Sequence, residues 1–132
     1  MFSYIINKFK KEDGQAMVEF AIILPILIMI LCGIIDFGWY FTNQNIIDNC
    51  SREGARYASV TPEATEAETE AAITTKINDM APSYLTISEI IYSYPIGDVK
   101  VEVFGEVAAL TPIVGVFEET IPLYSSCTMR VE

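Results

Sequence analysis

Sixteen consecutive uncharged residues separate Glu19 from Asp36, and this run constrains the fold more than any other feature of the chain. At a rise of ~1.5 Å per residue the run makes about 24 Å of helix, whereas the hydrocarbon core of a bilayer is about 30 Å thick. A membrane helix built on this run therefore takes Glu19, Asp36 or both into its margins. An acid there costs up to about 3 kcal/mol, so each is a functional candidate that needs a partner. A carboxylate that reaches the headgroups or is protonated is the alternative, and it fits Asp36 better than Glu19, which a glycine precedes.

The charges on either side of the run predict its orientation. Three of the chain's eight cationic residues are lysines within the first fourteen positions, and such residues favour the cytoplasmic side of a membrane. Trp39-Tyr40-Phe41 supplies the aromatic residues that favour the outer interface. We therefore expect a cytoplasmic leader at 1–14, a single lipid-embedded helix at 15–41 and an exported domain at 42–132. Two arginines on the exported side weaken this orientation without reversing it.

Composition argues against several classes of function. The net charge of −10 argues against nucleic acid, whose phosphates require a basic surface. The chain has no histidine, the commonest general base, and no nucleophile stands beside a recognisable base. We expect no enzyme activity, no cofactor and no metal site. No pair of small residues suited to signal peptidase follows the apolar run, so the helix is expected to stay on the protein.

The three cysteines fall on two sides of the predicted membrane boundary. Cys32 lies in the apolar run, whereas Cys50 and Cys127 lie in the exported domain. A pair of cysteines in an oxidising compartment is a candidate disulfide. Two buried apolar thiols are the other interpretation, and the sequence leaves both open.

Two helices are predicted before the strands. Residues 1–14 are expected to be a polar leader without a folded element, and helical character begins near Gln15 and continues to about Ser59. Past the membrane the first helix becomes amphipathic, with one face made of Ile46, Ile47, Cys50, Gly54, Tyr57 and Ala58. Thr61 followed by Pro62 predicts the start of a second helix that ends near Met80. A solvated face, rather than a calcium site, is expected for its acids Glu63, Glu66, Glu68 and Glu70.

The remainder of the chain alternates apolar and polar residues, which is the period of β-strands. Strands are predicted at Tyr84 to Tyr94, Asp98 to Ala108 and Ile121 to Val131, with a bulge in the first near Glu89-Ile90. Tyr94-Pro95-Ile96-Gly97 is expected to be a hairpin turn, and Leu110 to Phe117 an apolar connection that is either a short helix or a packed loop. The predicted fold is α+β: a long N-terminal helix, a second helix and a three-stranded antiparallel sheet packed on the first helix, as in pilins.

Three groups of residues resemble a known family. Gly14-Gln15-Ala16-Met17-Val18-Glu19-Phe20, with Leu24-Pro25 after it, is similar to a processing site followed by the start of a membrane helix. Gly33-Ile34-Ile35-Asp36-Phe37-Gly38 and Ser51-Arg52-Glu53-Gly54-Ala55-Arg56-Tyr57-Ala58-Ser59 are similar to a juxtamembrane motif. Thr111-Pro112-Ile113-Val114-Gly115 and Thr128-Met129-Arg130-Val131-Glu132 are similar to a C-terminal signature. Together they resemble the TadE-like family of pilin-like proteins from the Tad (Flp) pilus assembly system, with the TadE and TadF branches both open.

The resemblance implies a part of a pilus rather than a catalyst. A prepilin peptidase would cut between Gly14 and Gln15, so that the mature chain begins at Gln15. Glu19 and Phe20 would serve assembly, with Glu19 pairing with the free amino terminus of a neighbouring pilin-like subunit. The platform protein and the secretion ATPase of the same system would be further partners. The implied function is that of a minor pilin-like (pseudopilin) subunit that supports or primes assembly of a Tad/Flp type IV pilus.

A second class of function also fits the sequence. An unprocessed single-pass protein of the cytoplasmic membrane would use its exported domain to bind an envelope partner. The acidic domain and the apolar Leu110 to Phe117 connection favour this alternative, because an exposed apolar patch is a docking surface.

Overall fold

The computed structural model describes residues 2–60, 65–116 and 119–131, with side chains from Gly14 onward except those of Ile113 and Val114. A single helix, α1 (Phe2–Val60), is about 88 Å long at 1.5 Å per residue. Its predicted end near Ser59 is confirmed within one residue, but its start corrects the expectation of an unfolded leader. Residues 2–13 contain no glycine or proline, and the single glycine at position 14 costs a helix only about 1 kcal/mol, so the helix continues through it.

The second helix, α2 (Glu66–Met80), begins at a capping box. Thr65 accepts a hydrogen bond from the backbone N–H of Glu68, and the Glu68 carboxylate accepts one from the backbone N–H of Thr65. The predicted start at Thr61 and Pro62 lies outside the described residues, and the predicted end at Met80 is confirmed. Ile73 and Ile77 of α2 are fully buried against α1.

Three antiparallel strands follow in the spatial order β1-β2-β3, with ranges β1 (Leu85–Ser93), β2 (Asp98–Ala108) and β3 (Thr120–Arg130). The register of β1 on β2 shifts between Ile87 and Glu89, which confirms the predicted bulge one residue earlier in the chain. The turn between β1 and β2 closes with a hydrogen bond of 2.9 Å from the Asp98 backbone N–H to the Pro95 carbonyl. Gly97 in that turn has φ +80°, which a residue with a Cβ rarely adopts.

The connection from β2 to β3 contains the short helix α3 (Pro112–Gly115), so the helical form of the predicted connection is the one observed. The α+β prediction is therefore confirmed in all its elements. The second half of α1 lies across the sheet, and the two bury a common core with α2. Its buried apolar members are Ile47, Cys50, Ala55, Ala58, Ile73, Ile77, Leu85, Val99, Val101, Val103, Val107 and Leu123. Burying each aliphatic side chain contributes about 1.5–3 kcal/mol before the entropy of ordering is subtracted.

Candidate functional site

The first half of α1 presents an apolar surface that the rest of the chain does not cover. The helix is long and apolar enough to cross a membrane, and no part of its most apolar window is buried. Met17 and Phe20, for example, are 73% and 58% exposed. A surface of this extent requires lipid or a partner helix to cover it, which is compatible with a single-pass membrane protein.

Gly14 and Glu19 lie at the start of that surface. A Cβ added at Gly14 would meet no atom within 4 Å, so packing inside the chain does not require a glycine there. The Glu19 carboxylate accepts a hydrogen bond of 3.3 Å from Gln15 Nε2. Among the side chains that the structure describes, no lysine or arginine pairs with Glu19. Neither Gly14 nor Glu19 is thus required for the packing of the described chain, so both are available to contact another molecule.

Asp36 is held by the connection between β2 and β3. The Thr111 backbone N–H donates to Asp36 Oδ1 at 2.9 Å, and the Thr111 hydroxyl donates to Oδ2. Asp36 is 5% exposed and Thr111 is 9% exposed, so the contact is nearly closed to solvent. The partner that an acid in an apolar helix needs is thus supplied by this chain, from a residue 75 positions away.

The sequence holds a signal for this contact at Thr111 and Pro112. Thr111 followed by Pro112 is the same capping pattern that marks a helix start, and it places a hydroxyl at the beginning of α3. It was identified as part of a C-terminal signature and as an apolar connection, and its partner was not identified.

Trp39 provides a second attachment between α1 and the sheet. Its indole Nε1–H donates to the Ala108 carbonyl at 3.1 Å, and its ring lies 5.1 Å from that of Tyr84. One turn later Asn43 is fully buried and donates from Nδ2 to the Trp39 carbonyl at 2.8 Å. Trp39 and Asp36 together fix the end of β2 and the start of α3 beside the outer part of the apolar helix surface.

The Arg52-Glu53-Gly54-Ala55-Arg56 stretch lies where α1, α2 and the sheet meet. A Cβ at Gly54 would lie 3.1 Å from Ile73 Cγ2 and 3.3 Å from Val101 Cγ1, so the glycine permits close packing. Ala55 is fully buried, whereas the two arginines are exposed. This motif is therefore a packing junction of the C-terminal domain.

Glu53 joins that junction to α2 through two cations. Arg56 donates to it from Nε at 3.0 Å and from Nη2 at 2.8 Å, and Lys76 Nζ lies 2.7 Å from its Oε1. The hydrogen bonds from Arg56, followed by that from Lys76, lower the pKa of the Glu53 carboxyl from 4.5 to about 2. Glu53 is thus an acid that stays ionised in order to tie α2 to α1.

All three cysteines are free thiols in the structure, so the bridge between Cys50 and Cys127 is not formed in it. Ser51, next to Cys50, has its Oγ 2.9 Å from Oγ of Ser125, which lies two residues before Cys127. Cys127 pairs with Val101 in the sheet, and a Cβ at Gly54, one turn after Cys50, would lie 3.3 Å from Val101 Cγ1. Burial raises the pKa of the Cys50 thiol. The disulfide stays a prediction for the exported protein, and a non-reducing digest with mass spectrometry tests it.

The acids of α2 lie on its surface. Glu66 and Glu68 are exposed and Glu70 is partly exposed, while Glu63 lies outside the described residues. Among the residues whose positions are described, no three acidic, cysteine or histidine side chains form a group that could hold a metal ion.

A family model described as "TadE-like protein" matches residues 14–56. The match confirms the resemblance drawn from the sequence over the part of α1 that holds Gly14, Glu19, Asp36 and the Arg52–Arg56 junction. Thr111 and the rest of the C-terminal signature lie outside it. Neither the curated proteins nor the solved structures contained a match to this chain. The family match covers 43 of the 132 residues, all of them in α1.

Proposed function

We propose that this chain, whose first helix matches the TadE-like family, is a minor pilin-like (pseudopilin) subunit that supports or primes assembly of a Tad/Flp type IV pilus. The observation that carries the proposal is the division of α1 into two halves. The first half exposes an apolar surface with an acid near its start, and the second half is packed into a small domain. A subunit of this shape is inserted in the membrane by one half and recognised through the other.

Processing is the first step of the proposed function. A prepilin peptidase cuts between Gly14 and Gln15 and removes the lysine-rich leader on the cytoplasmic side. Packing within the chain does not require a glycine at position 14. A peptidase site that tolerates little bulk beside the cut bond would require one, and this supports the role of Gly14 in processing. The mature chain spans the membrane at 15–41 and places 42–132 outside the cytoplasm.

Assembly is the second step, and Glu19 acts in it. A carboxylate in low dielectric is stabilised by a cation, and cleavage creates an ammonium group at the new amino terminus beside the membrane. Glu19 has no cationic partner among the described residues, so the terminus of a neighbouring pilin-like subunit supplies it. The platform protein and the secretion ATPase of the system provide the movement that joins the subunits.

Exchange of Glu19 for alanine tests this proposal. In cells that carry the whole system, Glu19→Ala is expected to insert and be cut normally, because alanine is less costly in a membrane than an acid. Surface pili are expected to be lost. The matched control is Glu106→Ala, which removes an exposed acid of β2 and is expected to leave piliation unchanged. Normal piliation with Glu19→Ala would contradict the assembly role.

The second candidate is an unprocessed membrane protein that binds an envelope partner through its outer domain. Leu110 and Val116 favour it, because they are 55% and 80% exposed in the connection beside α1. The state of the amino terminus separates the two candidates, since the binding protein would keep its leader.

A further inference from the structure

We infer that the connection between β2 and β3, residues 109–116, is a second membrane contact that enters the outer headgroup region beside α1. The inference rests on the proposed span of α1, and it assigns a lipid surface to a part of the exported domain. The chain carries no charge between Glu106 and Glu118, so the connection and its flanks hold eleven uncharged residues. An interfacial segment needs this property, because buried charge in lipid is costly.

The height of the connection along α1 is set by two contacts. Thr111 N lies 2.9 Å from Asp36 Oδ1, and Ala108 O lies 3.1 Å from Trp39 Nε1. Asp36 lies five residues inside the proposed end of the span at 41, or about 7.5 Å along the helix. Interfacial elements bury their apolar side about 5–10 Å into the boundary between headgroups and acyl chains. The connection therefore lies at the depth where apolar side chains are favoured.

The exposed apolar surface is continuous from α1 onto the connection. Ile34, Ile35 and Phe37, which flank Asp36, are 64%, 50% and 69% exposed. Leu110 and Val116 are also exposed, and they lie beside Asp36 because Thr111, between them in the chain, is bonded to it. Continuity with the membrane-facing surface favours lipid over a protein as the occupant, because lipid already covers the adjoining turn of α1 in the proposed topology.

The contact between Asp36 and Thr111 explains how an acid is accommodated at this depth. Thr111 satisfies both carboxylate oxygens, and the connection leaves Asp36 only 5% exposed. Lipid at this height thus meets Leu110 and the apolar residues of α1 rather than the Asp36 carboxylate. The connection shields Asp36 from lipid, and it presents its own apolar surface to the lipid instead.

Fluorescence quenching by nitroxide-labelled lipids tests the inference. The full chain is placed in phosphatidylcholine–phosphatidylglycerol vesicles, with Trp39→Phe as background and one tryptophan introduced as Leu110→Trp. Lipids labelled near the headgroup are expected to quench this tryptophan at least about threefold more strongly than the matched control Ile96→Trp. Ile96 is also exposed but lies in the turn at the opposite end of β2.

A third probe separates failure of this inference from failure of the proposed function. Phe20→Trp lies in the proposed span and is expected to be quenched by lipids labelled deep in the acyl chains. Quenching of Phe20→Trp without quenching of Leu110→Trp would overturn the membrane contact alone and favour protein docking at the connection. Absence of quenching for both would overturn the span and the contact together.

Cysteine labelling repeats the test with Trp39 intact, in case its removal disturbs the neighbouring sheet. Val116→Cys and Ile96→Cys are treated in vesicles with a water-soluble maleimide, and the rate of the parent protein is subtracted. Val116→Cys is expected to react about tenfold or more slowly, because the interface limits access of water-soluble reagents. Equal rates at the two positions would overturn the inference.

Discussion

Replacement of Thr111 by valine tests whether the contact with Asp36 holds the C-terminal domain to the apolar half of α1. Valine keeps the size of threonine and the backbone N–H, which lies 2.9 Å from Asp36 Oδ1, but it removes the hydroxyl that donates to Oδ2. Asp36 is 5% exposed, so water replaces the lost bond poorly. A hydrogen bond to a charged group contributes about 1.5–3 kcal/mol, and we expect the free energy of unfolding of the domain to fall by this amount.

The assay uses the one tryptophan of the chain. Trp39 lies one turn after Asp36 and 5.1 Å from the Tyr84 ring, so its emission reports separation of α1 from the sheet. In urea, the stability of small domains falls by about 1–3 kcal/mol per molar, so the midpoint should drop by about 1 M. Thr111→Ser keeps the hydroxyl and is the control expected to retain the midpoint. If Thr111→Val unfolds at the same urea concentration as the wild type, the contact does not stabilise the domain.

Two further predictions concern the C-terminal domain. Gly105→Ala should destabilise it by about 1–3 kcal/mol, because the new Cβ would lie 2.8 Å from Cδ1 of the buried Ile47. Gly38→Ala, whose Cβ would meet nothing within 4 Å, is its control, and equal thermal midpoints would contradict the packing described. The pKa of Glu53 is lowered from 4.5 to about 2. Its contribution to the free energy of unfolding is therefore full above pH 4.5 and is lost as the pH falls toward 2. The difference in free energy of unfolding between the wild type and Glu53→Gln, measured by urea unfolding, should therefore shrink as the pH falls through that range. A difference that does not change with pH would contradict the ion pairs of Glu53.

The strands were predictable because their signal is local. Val99, Val101, Val103 and Val107 alternate with polar residues, and this period by itself predicted the bounds of β2 that the structure has. The bulge in β1 was predicted from a change of phase for the same reason. The helical period likewise placed Gly54 on the inner face of α1, where an added Cβ would lie 3.1 Å from Ile73 Cγ2.

Helix starts were predicted less well, because several residues compete for the same role. Thr61 and Thr65 are both capping candidates, and the pair Thr65 with Glu68 carries the full capping-box pattern that places the described start of α2. The leader was expected to be unfolded on account of its charge, but lysine and isoleucine support a helix once α1 continues behind them.

Contacts between distant parts of the chain could not be predicted from the sequence. The need of Asp36 for a partner followed from the physics of the membrane, whereas the identity of Thr111 depends on how the sheet is placed along α1. Cys50 lies on the predicted face of α1 and is buried in the core, and Cys127 packs against that core. Their relative height depends on the register between a helix and a strand, which periodicity does not determine.

The mature amino terminus decides whether this chain is processed as a pilin-like subunit. The protein is extracted from membranes of cells that carry the whole pilus system, and its amino terminus is sequenced and its intact mass measured. Cleavage after Gly14 predicts a chain that begins at Gln15, with Gly14→Val accumulating in the form that is longer by fourteen residues. Wild-type protein that retains Met1 in cells making pili would contradict processing and would favour the unprocessed binding protein.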